Sequence, residues 1–362
     1  MKTLVTGGAG YIGTHLLVEL LSAGHDVVVV DNFSSGYIEG LKRAQEISGR
    51  SIRLFHGDVA DLVMMRQALR GVEVVFHLAA YKKVGESMRS PESYFRNNLG
   101  SMTVLLEAMA AEGVHRIVYS STAAVYGQQS SQPISEDSPT RPDSPYGFSK
   151  LQGEQLLDWM VRLRGWSAVS LRYFNPVGAH PSGQIGEPFQ QATSLVPCAL
   201  KVLAAQADNS QADNQRLTIF GTNYDTPDGT CLRDYIHVCD LARAHLSALK
   251  ALSRPGHHIF NVGCGRGYSV REVLDACARV TDRRVPHVIG DRRPGDVPVA
   301  VADVSRFRNE MGFMPWFGLD KMVASAWRWW QDNPDGYVVS DDQRWVRPGG
   351  QAVVRNLMLI ES

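Results

Sequence analysis

Residues 6–13 read Thr6-Gly7-Gly8-Ala9-Gly10-Tyr11-Ile12-Gly13, and this stretch decides the fold. It follows an apolar run at 3–6 and opens an amphipathic stretch that reaches Ala23. Glycines at this spacing allow a sharp turn after a strand, a close approach of the backbone to a pyrophosphate, and tight packing of a helix on a sheet. The N-terminus of that helix then faces the phosphate charge.

Short β-branched runs alternate with helix-length amphipathic stretches after this turn. Strands are predicted at 3–6, 27–30, 52–55, 74–78, 116–120 and 168–172, with helices at 11–23, 38–47, 62–69, 91–112 and 147–164 between them. Such alternation predicts parallel strands joined by helices. We therefore expect an α/β fold with a Rossmann-type doubly wound parallel sheet.

The second half of the chain is richer in loops. Helices are predicted near 190–207, 235–252 and 270–281, with a strand at 217–220 and a polar, solvated loop at 207–215. We expect an NAD-binding Rossmann domain mainly in residues 1–174, a smaller C-terminal α/β substrate-binding lobe in 175–345, and a tail at 346–362. Some strands and helices of the lobe are expected to return to the first domain.

The composition narrows the class of partner. Among 362 residues, 37 basic side chains balance 37 acidic ones, so no net field favours nucleic acid or an anionic membrane. No apolar run approaches the roughly 20 residues that span a bilayer, and no metal-ligand spacing is found among the histidines. Five cysteines without a C-x-x-C pair, in a chain without a signal peptide, favour the cytoplasm. We expect a small-molecule partner and no metal.

Two carboxylates follow predicted strands. Asp31 comes directly after the run 27–30, where it can accept hydrogen bonds from a ribose diol but would repel a 2′-phosphate. NAD is therefore favoured over NADP. Asp58 follows the third strand and has two interpretations: it borders the adenine side of the cofactor, or it caps the helix that starts near Asp61.

A tyrosine and a lysine lie four residues apart at a predicted helix start, within Ser144-Pro145-Tyr146-Gly147-Phe148-Ser149-Lys150. This spacing puts the phenol and the ammonium on one helix face. A nearby ammonium stabilises the phenolate, so we expect a lowered pKa for Tyr146. Such pairs are common on exposed helices, but the position after a dinucleotide fold favours catalysis.

The glycine turn and Tyr146-x-x-x-Lys150 together resemble the extended short-chain dehydrogenase/reductase family, over the chain to about residue 340. Three motifs resemble the nucleotide-sugar 4-epimerases of that family: Val84-Gly85-Glu86-Ser87, Arg172-Tyr173-Phe174-Asn175-Pro176-Val177-Gly178-Ala179-His180-Pro181-Ser182-Gly183, and Arg233-Asp234-Tyr235-Ile236-His237-Val238. The resemblance implies tightly bound NAD, a UDP-sugar substrate, and a homodimer formed by the helices near 91–112 and 147–164.

The hydroxyl partner of the family's tyrosine lies in a segment that here reads Ser120-Ser121-Thr122-Ala123-Ala124-Val125-Tyr126-Gly127, so Thr122 is the matching residue. Related 4,6-dehydratases carry Asp-Glu where Ala123 and Ala124 stand, and alanine has no acid or base. The resemblance implies that Tyr146 takes the proton of the sugar 4-hydroxyl, while Thr122 binds that oxygen and Lys150 steadies tyrosine and ribose. Hydride transfer from C4 to NAD and back to the opposite face would interconvert UDP-glucose and UDP-galactose.

The residues and the resemblance together assign two ligand sets. The cofactor set is Gly7, Gly10, Tyr11, Ile12, Gly13, Asp31, Asn32, Asp58, Val59, Leu78, Ala79, Ala80, Lys82, Asn97, Tyr146, Lys150 and Phe174. The substrate set is Lys82, Thr122, Tyr146, Asn175, Ser194, Leu195, Thr218, Phe220, Arg233, Tyr235, Arg293, Asp296 and Ala300. A guanidinium offers planar, paired donors to phosphate, which suits the two arginines to the diphosphate.

Two positions depart from the family pattern. Ser194 stands where the family often has asparagine, which puts one phosphate contact in doubt. Ala300 stands where many bacterial members have tyrosine, and a methyl in place of a phenol leaves space for an N-acetyl group. Activity on UDP-GlcNAc and UDP-GalNAc is therefore a hypothesis beside the hexose pair.

Three other functions remain open at this point. One is an epimerase of a UDP-pentose or of UDP-glucuronate, although no unambiguous cation for a uronate carboxylate is found. Another is a non-catalytic NAD-sensing protein, since a fold alone does not establish chemistry. The third is a dehydrogenase that consumes NAD and accumulates NADH.

Overall fold

The computed structural model describes residues 1–188, 192–207, 215–293, 295–337 and 358–359. Its strands are β1 (Lys2–Thr6), β2 (Asp26–Asp31), β3 (Arg53–His56), β4 (Val74–His77), β5 (Arg116–Thr122), β6 (Ser167–Tyr173), β7 (Asn175–Val177), β8 (Leu217–Phe220), β9 (Leu232–His237), β10 (Gly256–Val262), β11 (Gly267–Ser269), β12 (His287–Gly290), β13 (Val299–Ala300) and β14 (Met358–Leu359).

The α-helices are α1 (Tyr11–Ser22), α2 (Ile38–Ser48), α3 (Leu62–Ala68), α4 (Val84–Ser87), α5 (Pro91–Tyr94), α6 (Ser101–Ala111), α7 (Pro145–Arg164), α8 (Leu195–Ala207), α9 (Val238–Ala248), α10 (Val270–Thr281), α11 (Ser305–Met311) and α12 (Leu319–Asp332). A π-helix at Phe95–Gly100 joins α5 to α6, and 3₁₀ turns lie at Ala123–Val125 and Ala251–Ser253. In the ranges that the structure describes, no helix has both the length and the apolar composition needed to cross a membrane.

A parallel sheet forms the first layer of the fold. Its strand order is β10-β6-β5-β4-β1-β2-β3-β14, and the paired strands all run parallel. The order reverses between β1 and β4, because the chain builds outward from β1 first on one side and then on the other. Ligands bind at the carboxyl ends of strands at such a switch point. The doubly wound fold expected from the sequence is confirmed.

Alternation along β1 explains why helices cover both faces of this sheet. Val5 packs in one buried cluster with residues of α1, α2 and α9, whereas its neighbour Leu4 packs in another with residues of α3, α6 and α7. Successive side chains of a strand point to opposite faces. Both residues are fully buried, so the strand that carries the glycine turn is held rigidly from two sides.

The later part of the chain builds two small sheets and also returns to the first one. One small sheet has the order β11-β9-β13, with β7 also paired to β9, and the other pairs β12 with β8. Strand β10 joins the edge of the large sheet beside β6, and Leu241 of α9 lies in the cluster that covers it.

The domain divisions at residues 174 and 345 stay predictions. Residues 208–214 of the polar loop, and the tail apart from 358–359, lie outside the described residues.

Helix α7 carries the Tyr–Lys pair, and its start is defined by a cap. The Ser144 side chain accepts a hydrogen bond from the backbone N–H of Gly147 at 3.1 Å, and Pro145 occupies the first helical position. Tyr146 and Lys150 therefore lie in the first two turns, on the buried side of the helix. The helix expected at 91–112 is present but contains the π-helix, which the apolar pattern did not indicate.

Candidate active site

A cavity of about 810 Å³ opens at the carboxyl ends of the central strands. Its wall includes the glycine turn after β1, the residues after β2 and β4, the end of β5, the start of α7 and the segment that follows β6. Every residue of the cofactor set lines this cavity. Thr122, Asn175, Ser194 and Arg293 of the substrate set line it too.

The glycine turn has no room for side chains at Gly7, where it meets the segment after β4, or at Gly13, where helix α1 meets the turn. A Cβ on Gly7 would lie 2.7 Å from the backbone nitrogen of Ala79, and Gly7 has φ +72°, a backbone conformation that favours glycine. A Cβ on Gly13 would lie 2.3 Å from the carbonyl oxygen of Gly7. The start of α1 therefore packs directly on the turn and faces the cavity, which fits a pyrophosphate.

Asp31 holds the turn as well as facing the cavity. Its carboxylate accepts hydrogen bonds from the backbone N–H of Ala9 at 2.9 Å and of Phe33 at 2.8 Å. Burial raises the pKa of Asp31, and these two hydrogen bonds oppose that rise. Because the side chain lines the cavity one strand away from the phosphate turn, it fits a ribose diol. The residues present thus fit NAD.

Asp58 lies at the cavity and does not cap helix α3. The cap of α3 is Asp61, whose side chain accepts from the backbone N–H of Met64 at 3.0 Å. Asp58 lines the cavity and accepts from Asn32 Nδ2 at 2.9 Å. The helix cap is therefore a separate residue, and Asp58 borders the cavity together with Asn32.

Thr122, Tyr146 and Lys150 lie together at the cavity wall and are nearly fully buried. Burial raises the pKa of Tyr146, and a hydrogen bond with Thr122 opposes that rise. The sequence predicted a lowered pKa for Tyr146, and this prediction is wrong because burial has the larger effect. The Lys150 Nζ donates to the carbonyl oxygen of Ser120 at 2.8 Å and lies 4.8 Å from the ring centre of Tyr119.

Lys150 itself is strongly affected by its surroundings. Burial lowers the pKa of Lys150 to about 7, and the charge of Glu154 opposes that fall. A lysine whose pKa is close to neutrality changes its charge readily in response to neighbours. Such perturbed groups in a cleft are typical of an active site.

The two arginines of the substrate set share one carboxylate. Arg293 Nε donates to Asp296 Oδ2 at 3.1 Å, and Arg233 Nη2 donates to Asp296 Oδ1 at 3.4 Å. The Arg293 guanidinium also lies 4.5 Å from the ring centre of Phe220. These four residues form a cluster beside the cavity, of which Arg293 reaches the wall. Asp296, a member of the substrate set, therefore bridges the two arginines, and its role as a ligand contact stays a prediction.

Other members of the substrate set lie away from the cavity wall. Tyr235 is 5% exposed and packs in the buried cluster of the second part of the chain. Leu195 begins α8, and Thr218 is paired with Val288 in the small sheet of β8 and β12. Ala300 lies opposite Arg233 in the pairing of β13 with β9. Their roles as ligand contacts stay predictions.

The cavity also has lining residues that the sequence analysis missed. Glu187 pairs with Lys82 at the cavity wall, with Lys82 Nζ 3.5 Å from Glu187 Oε1. The Glu187 carbonyl oxygen accepts hydrogen bonds from the indole N–H groups of Trp329 and Trp330. Glu187 carried no periodic or motif signal. Arg89 lines the cavity as well, just after the Val84–Ser87 motif, which was the available signal.

The fold and this cavity define the class of protein. The short-chain dehydrogenase/reductases have a doubly wound parallel sheet of this kind. The cavity at its switch point is lined here by the glycine turn, Asp31 and the buried Thr122, Tyr146 and Lys150. The model of the NAD dependent epimerase/dehydratase family matches residues 3–263. The chain belongs to that family, and the resemblance and the cofactor inferred from its motifs are confirmed.

Individual relatives agree with this assignment. The UDP-glucose 4-epimerase of Bacillus subtilis is 44% identical over 342 residues, which are 93% of this chain and 99% of the relative. The UDP-glucose 4-epimerase of Bifidobacterium longum, solved in complex with NAD+ and UDP, has a TM-score of 0.86 and 41% identity, and covers 93% of this chain and 100% of its own. The UDP-glucose-4-epimerase of Stenotrophomonas maltophila, solved with NAD and formylated UDP-arabinopyranose, has a TM-score of 0.88 and 39% identity. The match covers 92% of this chain and 99% of that enzyme.

Replacing Asp31 tests the cofactor site. We expect Asp31→Ser to raise the Kd for NAD by about 10- to 100-fold, because a hydrogen bond to a charged group contributes about 1.5 to 3 kcal/mol. The preference for NAD over NADP should narrow as well, since the repelling carboxylate is gone. Calorimetric titration of cofactor-stripped protein measures both. Asp26→Ser, at the exposed start of the same strand, is the control; an unchanged affinity for NAD in the Asp31 variant would contradict the assignment.

Proposed function

We propose that the protein is a UDP-glucose 4-epimerase, an isomerase that interconverts UDP-glucose and UDP-galactose with tightly bound NAD. The observation that carries this proposal is the burial of Thr122, Tyr146 and Lys150 together at the cavity that the whole cofactor set lines. The family and the UDP-glucose 4-epimerases of similar length and fold support it. Bound NAD would accept the C4 hydride and return it.

Tyr146 and Thr122 act on the sugar 4-hydroxyl in this proposal. Tyr146 removes the hydroxyl proton as C4 is oxidised and gives it back as C4 is reduced, so it serves as base and then as acid. Burial raises the pKa of Tyr146, so the phenol needs a cation or a hydrogen bond to release its proton. Thr122 supplies the hydrogen bond and Lys150 the cation, and both lie in the same water-poor corner.

Inversion requires the sugar to turn while its nucleotide stays bound. The cluster of Arg233, Arg293, Asp296 and Phe220 supplies guanidinium groups for a diphosphate and an aromatic face for a base. Lys82, which lines the same cavity, adds a further cation. The uridine diphosphate would therefore be anchored by several cations, which leaves the hexose near Tyr146 free to present either face.

The residues after Thr122 favour epimerisation over dehydration. Ala123 and Ala124 form the 3₁₀ turn that follows β5, with the backbone N–H of Ala124 donating to Thr122 Oγ1 at 3.2 Å. Their methyl side chains have no proton to give to a leaving hydroxyl. A 4-keto sugar formed at this site would keep its C6 hydroxyl and be reduced again.

Tyr146→Phe tests the chemistry. Because proton transfer by a positioned side chain contributes about 10²- to 10⁴-fold to a rate, we expect kcat to fall by that factor. Retained NAD, measured in the denatured extract, should stay unchanged. Conversion of UDP-galactose is followed by product analysis without added NAD.

The control for this change is Tyr268→Phe, which removes a phenol on β11 away from the main cavity. Full activity in the Tyr146 variant would overturn the proposed mechanism. Wild-type protein that holds NAD but converts no UDP-sugar would instead support the NAD-sensing alternative. Release of free NADH would support a dehydrogenase, and faster turnover of a UDP-pentose or UDP-glucuronate would support the sibling epimerase.

We also propose breadth towards the UDP-GlcNAc and UDP-GalNAc pair, on account of Ala300. If its small side chain leaves room for the N-acetyl group, Ala300→Tyr should lower kcat/KM for UDP-GlcNAc by about 10- to 100-fold, the usual effect of a small misfit in a pocket. UDP-glucose turnover should change much less. Competition assays with both sugars measure the ratio, and Ala300→Ser, which keeps the space, is the control. An unchanged ratio in the tyrosine variant would refute the idea.

The proposal includes a cytoplasmic homodimer. Phe148, Trp159 and Leu163 are exposed on α7 by 43%, 58% and 74%, and their spacing puts them on one face of the helix. Pairing of two such helices would bury this apolar stripe. We expect sedimentation to give a dimer for the wild type and for Trp316→Glu, an exposed tryptophan elsewhere, but a monomer for Trp159→Glu. A dimeric Trp159 variant would exclude this surface.

A further inference from the structure

A buried carboxylate lies one helical turn beyond the lysine of the active site. Glu154 follows Lys150 by four residues on α7, and both side chains are 3% exposed. Residues four apart on a helix are neighbours on the same face. Glu154 does not line the cavity, so it touches neither cofactor nor substrate there.

The Glu154 carboxylate is held by partners on two strands. From β6, Arg172 donates to it through Nη2 at 2.6 Å and through Nε at 2.9 Å. From β5, Ser121 Oγ donates to Oε1 at 2.5 Å. Ser121 directly precedes Thr122. One carboxylate is therefore tied to the strand that carries Thr122 and to the helix that carries Tyr146 and Lys150.

The other groups around Lys150 are neutral. From β4, His77 has a pKa lowered to about 3 by burial and by the Lys150 charge, and from β5 burial raises the pKa of Tyr119. From α9, burial lowers the pKa of His245 to about 4, and its Nε2 shares a hydrogen bond with Ser120 Oγ at 3.2 Å.

Tyr146 lies one turn before Lys150 on α7, and Tyr173 lines the same cavity from β6. Burial raises the pKa of both tyrosines. Around Glu154, the charged partner is Arg172, and burial lowers the pKa of nearby His257 on β10. Among the described residues that face Lys150, Glu154 is therefore the group that supplies a negative charge.

We propose that Glu154 is a positioning residue of this active site, which favours the cationic form of the Lys150 side chain and holds the strand that ends in Thr122. The proposal rests on the proposed function, since it assigns a role within that reaction. It adds a residue that acts through Lys150 rather than on a ligand.

Glu154 acts on Lys150 through its charge. Burial favours the neutral form of Lys150, because a charge in a low-dielectric site lacks solvation. A nearby anion offsets that effect, and here the direction of its influence on the Lys150 pKa is upward. Without the anion, Lys150 would lose its proton at a lower pH and could no longer favour the phenolate of Tyr146. The alkaline limb of the activity profile would then move to lower pH.

The first test is the pH profile of Glu154→Gln. We expect its alkaline limb to move down by about one pH unit or more, and kcat at pH 8 to fall by about tenfold, which corresponds to one pKa unit. KM for the UDP-sugar should change little, because Glu154 lies outside the cavity wall. Glu154→Asp, which keeps the charge, should restore most of the activity and the profile.

Asp158→Asn is the matched control, since it removes a carboxylate one turn further along α7 that pairs with Arg162 at the surface. Its profile should match the wild type. The second test observes Lys150 directly by nuclear magnetic resonance of protein with ¹³C-labelled lysine, the signal being assigned by its loss in Lys150→Met. The midpoint should lie below the ordinary lysine range in the wild type, because burial lowers the pKa of Lys150, and lower still in Glu154→Gln.

Loss of Glu154 alone leaves the buried Arg172 charge without a carboxylate partner, although its hydrogen bonds to Tyr126 and to the Glu136 carbonyl oxygen remain, and this can unfold the protein. The double variant Glu154→Gln with Arg172→Met removes the pair as a unit, a change that buried pairs often tolerate. It should move the Lys150 midpoint downward by less than Glu154→Gln does, because the positive charge of Arg172 is lost together with the negative charge of Glu154. A folded single or double variant with an unshifted midpoint and an unshifted profile would overturn the proposal. A protein that converts no UDP-sugar, but in which Glu154→Gln still lowers the Lys150 midpoint, would refute the proposed function. It would support the effect of Glu154 on the charge of Lys150.

Discussion

The close contact between Gly7 and the backbone of Ala79 is the constraint on which the rest of this structure depends. Strands β1 and β4 are neighbours at the switch point of the sheet, and the turns after them meet with no room for a Cβ. This contact brings the helix N-terminus and the 78–82 segment to one edge of the cavity. Asp31 then fixes the same turn from the other side through the N–H of Ala9. The cofactor site is thus preformed by backbone packing.

The catalytic corner depends on a different effect, the removal of charged and polar side chains from water. Helix α7 and strand β5 hold Tyr146, Lys150 and Thr122. Burial raises the pKa of the tyrosine and lowers the pKa of the lysine, so it favours the neutral form of each. Hydrogen bonds and neighbouring charges then decide which form exists. A network that includes Ser120, Ser121, Glu154 and Arg172 lies beneath these residues. The ease with which Tyr146 releases its proton therefore depends on the charges and hydrogen bonds around it.

Much of the fold and of the cofactor site followed from local signals. Alternating strands and helices, three spaced glycines and an acid after the second strand each have a direct physical meaning. Much of the rest of the cofactor set was implied by the family resemblance, and the whole set lines one cavity. The substrate set was harder, because its residues come from distant strands whose pairing no local pattern specifies. Asp296 bridging two arginines, Tyr235 packed in a core and the Glu187–Lys82 contact all depend on that tertiary arrangement. The raised pKa of Tyr146 likewise reflects burial, which a spacing of four residues does not reveal.

The proposed epimerisation requires that the sugar C4 is oxidised and reduced again without release of the hydride. Incubation with UDP-galactose that carries deuterium at C4, in ordinary water and without added NAD, tests it most directly. Proton magnetic resonance of the product should show UDP-glucose that still carries deuterium at C4. UDP-glucose with protium at C4 would contradict the account, because the hydrogen would then have come from solvent rather than from the bound cofactor.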